Sequence, residues 1–165
     1  MSTLVNKPTA ASALIGKTLG QSEWLLIDQK LISAFGDLTK DPDPYHQDPE
    51  WAEKNSPFGG TIAYGFLTAS LLSHLQKNVF EAYLKRHPEM MRAFGMPVNY
   101  GFDKLRFIAP VKCDDRIRGV FTVSSLAERE NGLLLNIHTQ VEVENEERPA
   151  LIADWLFLLI GAEQS

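Results

Sequence analysis

One helix constrains this chain more than any other stretch. From Ile62 onward, Phe66, Leu67, Ala69, Leu71, Leu72 and Leu75 cover much of a helical surface, with the small residues Ala63, Gly65 and Ser70 among them. A helix apolar nearly all round is a buried helix. The rest of the chain must cover it, and the C-terminal half is made of strands. Leu133 to Glu144 sets Leu135, Ile137, Thr139, Val141 and Val143 against polar neighbours, the alternation of a half-buried strand. Val98 to Ile108 and Arg116 to Leu126 alternate more loosely, and Ala150 to Ile160 is an apolar run suited to burial on both faces. A long helix wrapped by an antiparallel sheet is the most economical packing of that order, an α+β fold.

The N-terminal half supplies shorter elements. Thr18 to Leu26 reads as a first strand. Asp28 caps a helix through Phe35, which Gly36 and Asp37 end. Asp48 and Pro49 start a short helix through Lys54, with Trp51 and Ala52 facing inward. Lys77 to Met96, broken at Pro88, reads as helical excursions forming a cover or a mobile flap. A chain of 165 residues holds one domain with a real core. Residues 1–12 read as a flexible segment and 13–165 as that domain.

The chemistry gathers before the helix, in Asp41-Pro42-Asp43-Pro44-Tyr45-His46. Each proline fixes its own φ and pushes the residue before it out of the α region. A carboxylate near an imidazole raises the His pKa and orients its ring. Asp41 and His46 are placed to hold and polarise one water. Gly59-Gly60 follows, and Gly65 lets a ligand approach the main chain where the helix start favours negative charge. The bland readings are an ordinary Asp-Pro loop and a core helix with glycines in its lead-in turn.

This hexapeptide resembles the Asp-x-Asn-Pro-x-His signature of the MaoC-like (R)-specific enoyl-CoA hydratases. Ser56 to Thr68 is similar to the same family, especially its nodulation-protein-N-like branch, as are Asn99 to Val111 and Pro149 to Leu156. Two departures are Asp43, where the family has Asn, and Tyr64, where it has His. An ionised Asp only accepts hydrogen bonds, whereas Asn also donates. The resemblance implies a hotdog fold and a lyase that hydrates trans-2-enoyl thioesters to (R)-3-hydroxyacyl thioesters, or dehydrates them, in fatty acid metabolism. It implies Asp41 and His46 as the catalytic pair, with acid and base left open, and the Gly65 N–H as the thioester-oxygen donor. Asp43, Tyr64, Asn99 and Tyr100 are the remaining site residues it suggests. The substrate would be carried by coenzyme A or a carrier protein, with no further cofactor and no metal. Edge-to-edge pairing in a homodimer is also implied, and physics agrees, because one sheet edge is otherwise open. A hotdog thioesterase and a catalytically silent acyl-thioester binding protein remain as alternatives.

Composition bounds the partners. A formal charge of −5 gives no reason to propose nucleic acid. The single cysteine, Cys113, excludes an intramolecular disulfide and reads as a structural or incidental thiol. The first residues carry no long apolar run and no stretch is long enough to span a membrane, so a cytoplasmic protein is expected. Lys85, Arg86 and Arg92 form the nearest basic cluster, either for phosphates or as a solvated helix face.

Overall fold

The computed structural model describes residues 12–88, 90 and 94–161. The expected N-terminal segment, save Ser12, lies outside the described residues, and so does Arg92. After a short 3-10 turn, the order is β1 (Thr18–Gln21), β2 (Leu25–Leu26), α1 (Gln29–Thr39), α2 (Pro44–Gln47), α3 (Pro49–Asn55), α4 (Gly65–Ser70) and α5 (Leu72–Arg86). Four long strands follow: β3 (Met96–Phe107), β4 (Arg116–Arg129), β5 (Gly132–Val143) and β6 (Leu151–Ile160).

The strands form one antiparallel sheet in the order β1-β4-β5-β6-β3, with β2 beside β4. The alternation of β5 becomes a strictly alternating burial pattern from Leu133 to Val143. Its inward residues join Ile117, Phe121, Leu151 and Leu159 against Leu72, Leu75 and Val79 of α5. Burying a side chain of this size contributes about 1.5–3 kcal/mol, so this layer is the main source of stability. β3 ends the sheet, and its outer edge carries exposed Met96, Val98, Tyr100 and Phe102.

Four expectations change. The first strand is split at Ser22–Trp24 into β1 and β2. Helix α1 does not stop at Gly36; it runs to Thr39 and ends at Lys40 in the left-handed region, φ 59°. Gly36 is a packing glycine, because a Cβ there would strike the Gln47 amide and the Tyr64 hydroxyl. Lys77 to Arg86 is not a separate excursion but the continuation of α5. The helix is also not buried all round, since the sheet covers one face. Leu67, Leu72, Leu75, Val79 and Tyr83 are buried, while Phe66 is 73% exposed. Helix α3 forms as expected, with Ala52 buried and Trp51 half-buried, edge-on to Tyr45.

Candidate active site

Two of the three Asp-Pro steps are successive helix starts, so the expected extended turn ends in a helical turn at Pro44. Asp43 caps α2, its Oδ1 accepting from the Tyr45 amide at 2.9 Å, and Pro44 takes the first turn. Asp48 does the same for α3 through the Trp51 amide, also at 2.9 Å, followed by Pro49. Carboxylate caps accept orphan amides, and proline loses nothing where its missing N–H has no partner. Between the two caps, α2 is a single turn that presents His46.

His46 is held by Gln29, Ile62 and Tyr64, and the carbonyl of its neighbour Tyr45 is held as well. The His46 backbone carbonyl accepts from Gln29 Nε2 at 2.7 Å, and Gln29 Oε1 accepts from Thr61 Oγ1 at 2.5 Å. The Ile62 amide donates to the Tyr45 carbonyl at 3.1 Å. The ring Nδ1 lies 2.6 Å from the Ile62 carbonyl. A carbonyl can only accept, so Nδ1 carries the hydrogen, and in the neutral ring Nε2 keeps its lone pair. The ring face packs on Tyr64, with centroids 3.8 Å apart.

Gly65 opens α4. The segment before it is strapped down, with Ala63 N–H donating to the Val111 carbonyl at 2.7 Å and Cys113 N–H to the Thr61 carbonyl at 2.9 Å. The Gly65 amide is one of the orphan donors of a helix start. A Cβ at Gly65 would come within 3.0–3.1 Å of the Phe107 ring, so glycine lets the end of β3 cross the helix start. His46 and Gly65 both line a cavity of about 360 Å³, whose other walls include Phe58, Ile62, Thr68 and Phe107. An apolar chamber with a few convergent polar groups is the usual form of a small-molecule site.

The other expected residues stand elsewhere. The Asp41 carboxylate is exposed, in a neighbouring depression with Asp37, Lys40 and Gln47, and accepts from the Asp43 amide at 3.3 Å. It makes no hydrogen bond to His46, whose ring is oriented by the Ile62 carbonyl and Tyr64 instead. The Asp43 carboxylate is a helix cap. Tyr64 is 5% exposed and lies behind His46 rather than in the cavity lining. Its hydroxyl donates to the Asp41 carbonyl at 2.6 Å and accepts from Gln47 Nε2 at 2.8 Å. Burial pushes the Tyr64 phenol above its ordinary pKa. The bond from Gln47 opposes this, and the charges of Asp41, Asp43 and Asp37 add to the rise. Asn99 sits on β3 opposite Phe157 and accepts from Trp155 Nε1 at 2.9 Å; it and Tyr100 do not line the cavity. Lys85 and Arg86 end α5, at its far end from Leu71 and the Gly65 helix α4, and neither lines the cavity. Cys113 is half-buried, and burial raises its thiol pKa, which suits an unreactive thiol.

Sequence reasoning missed Gln29, Gln47, the Ile62 carbonyl and Phe107. The one available signal was Gly36, a poor residue for a helix interior and so a mark of close packing.

The model of the MaoC like domain family matches residues 10–145. Nodulation protein N of Rhizobium meliloti (strain 1021) is 42% identical over 146 residues, covering 88% of this chain and 86% of the relative. The 3-hydroxyacyl-thioester dehydratase Z of Mycobacterium tuberculosis (strain H37Rv) is 35% identical over 144 residues, covering 87% and 89%. An (R)-hydratase from A. caviae, described as involved in PHA biosynthesis, superposes with a TM-score of 0.66 at 22% identity, covering 88% of this chain and 96% of that one. The sheet and long helix are those of the hotdog fold. Fold, motif order and sequence identity converge, and the chain belongs to the MaoC-like domain family, in its nodulation-protein-N-like branch.

Proposed function

We propose that the protein is a lyase that adds water to trans-2-enoyl thioesters to give (R)-3-hydroxyacyl thioesters, or removes it in reverse. The observation that carries this reading is one apolar cavity lined by both His46 and Gly65, an imidazole with a free Nε2 lone pair and a helix-start amide. The relative named as a 3-hydroxyacyl-thioester dehydratase supports the reaction class, and the hydratase-like signature supports the (R) hand.

The step balances with the chain's own groups. The Asp41 carboxylate turns in from its neighbouring depression as substrate enters and accepts one hydrogen of a water, and His46 Nε2 accepts the other. As the water oxygen bonds to C3, its proton passes to Nε2 and the C2–C3 π pair moves toward the thioester oxygen. The Gly65 N–H stabilises that enolate; one such donor is typically worth about 10²–10³ in rate. The proton then passes from His46 to C2, so hydrogen and hydroxyl have both added and the imidazole is neutral again. No redox or metal step is required, and the only carrier is the coenzyme A or carrier-protein thioester. The free apolar edge of β3 supports pairing of two copies in a homodimer.

One observation favours a second reading, a silent acyl-thioester binder: the Asp41 carboxylate is exposed and unbonded to His46. Mixing the protein with crotonyl-CoA separates the two. Loss of the conjugated absorbance without release of free thiol is expected. Tight binding with unchanged absorbance would establish the binder, and thiol release a thioesterase.

A further inference from the structure

We infer that Tyr64 is a positioning residue whose grip on both His46 and Asp41 sets the separation of the catalytic pair. The inference rests on the hydratase reading for its kinetic arm only. Tyr64 touches each member by a different part of its side chain. The ring face supports the imidazole of His46 at 3.8 Å between centroids, with the planes 32° apart. The hydroxyl donates to the main-chain carbonyl of Asp41 at 2.6 Å. Asp41 is held on its other side by its own N–H, which donates to the Gly36 carbonyl at 3.0 Å. The Asp41 backbone is therefore fixed at both ends, while its carboxylate is left free toward solvent.

The surroundings fit this use. Gln47 Nε2 donates to the same hydroxyl at 2.8 Å and so directs its hydrogen toward Asp41. Gly36 lacks the Cβ that would occupy the space of the hydroxyl and the Gln47 amide. Tyr64 stands at the N-cap of α4 yet makes no capping bond. Ser, Thr, Asp and Asn are the residues that stabilise that position, so a tyrosine here serves something other than the helix start. Burial keeps the phenol protonated and therefore a donor. The residue is absent from the cavity lining, so its action on substrate passes through His46 and Asp41.

Two variants separate the two grips. Tyr64→Phe keeps the ring and removes the hydroxyl. It should lower kcat on crotonyl-CoA by about tenfold, the scale of one lost hydrogen bond, with KM unchanged. Tyr64→Leu removes the ring. Long-range proton–nitrogen NMR on histidine-labelled protein, at a pH where His46 is neutral, should show a single Nδ1–H tautomer in the wild type and in Tyr64→Phe. It should show a tautomer mixture in Tyr64→Leu, because without the ring face beneath it the imidazole turns off the Ile62 carbonyl that fixes the tautomer. A wild-type kcat in Tyr64→Phe, or a KM that rises as far as kcat falls, would overturn the role, the second by making Tyr64 a substrate contact. An unchanged tautomer in folded Tyr64→Leu would also overturn it. The NMR arm needs no turnover. A wild type inert toward thioesters would therefore sink the hydratase reading while the tautomer still decides the grip on His46, and the phenylalanine variant keeps the question open to test if the leucine variant does not fold.

Discussion

His46 and Asp41 come from one six-residue turn, yet the fold treats them differently. His46 is fixed in its side chain: Nδ1 is bonded to Ile62, the ring lies on Tyr64, and Gln29 holds the carbonyl behind it. Asp41 is fixed chiefly in its backbone, between Gly36 and Tyr64, with its carboxylate exposed and touched by a long 3.3 Å bond from the Asp43 amide. The contrast fits a division of labour. A base must present one nitrogen in one tautomer, which calls for a rigid ring. A group that only accepts a hydrogen from water needs a fixed root and can settle its carboxylate when substrate and water arrive.

The largest test of this contrast is His46→Ala. It should lower kcat/KM by about 10²–10⁴, the range of a lost general base, with the melting curve little changed because the ring is only half-buried. Asp41→Asn comes next and sharpens the comparison most. The substitution keeps both main-chain bonds and removes the charge, so a kcat loss of about 10² assigns work to the carboxylate, and near-wild-type rate would reduce Asp41 to a structural root. Gly65→Ala should cost stability as well as rate. Its Cβ would crowd the Phe107 ring at 3.0 Å, and overpacking of that kind costs about 1–3 kcal/mol. Chemical denaturation should show that cost shrinking when Phe107→Leu is added. Asp43→Asn should change little, because Asn Oδ1 can cap α2 as Asp does; stability within about 0.5 kcal/mol and an unchanged rate would show that this departure from the family motif is a cap exchange.

Alkaline pH gives the smallest signal. A phenol whose pKa is raised by folding stabilises the native state fully below its unfolded value of 10.0, and that contribution is lost as pH rises toward the raised folded value. Stability should fall above pH 10.0, and Tyr64→Phe should lessen that fall.

Much of the scaffold was legible because its signals are local. The alternation of β5, the Asp48-Pro49 helix start and the helix start at Gly65 each depend on neighbours a few residues away, whereas the one-turn helix α2 behind the Asp43 cap reads in the sequence as an extended turn. The bonds that aim His46 were not legible. Gln29 and Ile62 lie 17 and 16 residues from it, and Gln47 lies 17 from Tyr64, separations with no periodicity to betray them. Gly36 was misread as a helix stop because glycine has two uses, ending helices and admitting a close neighbour, and only the position of Tyr64 decides between them. The extent of α5 was hidden by charged Lys77, Glu81 and Lys85 on its solvent side, while Val79 and Tyr83 keep the buried stripe running.

The central claim is that one water is split by His46 inside the cavity it shares with Gly65. The most direct measurement is the product formed from crotonyl-CoA in heavy water. The account predicts (R)-3-hydroxybutyryl-CoA with a single deuterium at C2, added to the same face as the C3 hydroxyl, because one imidazole both takes and returns the proton. Addition to opposite faces would contradict the single-base geometry, and recovery of unchanged enoyl thioester or of free coenzyme A would contradict the reaction itself.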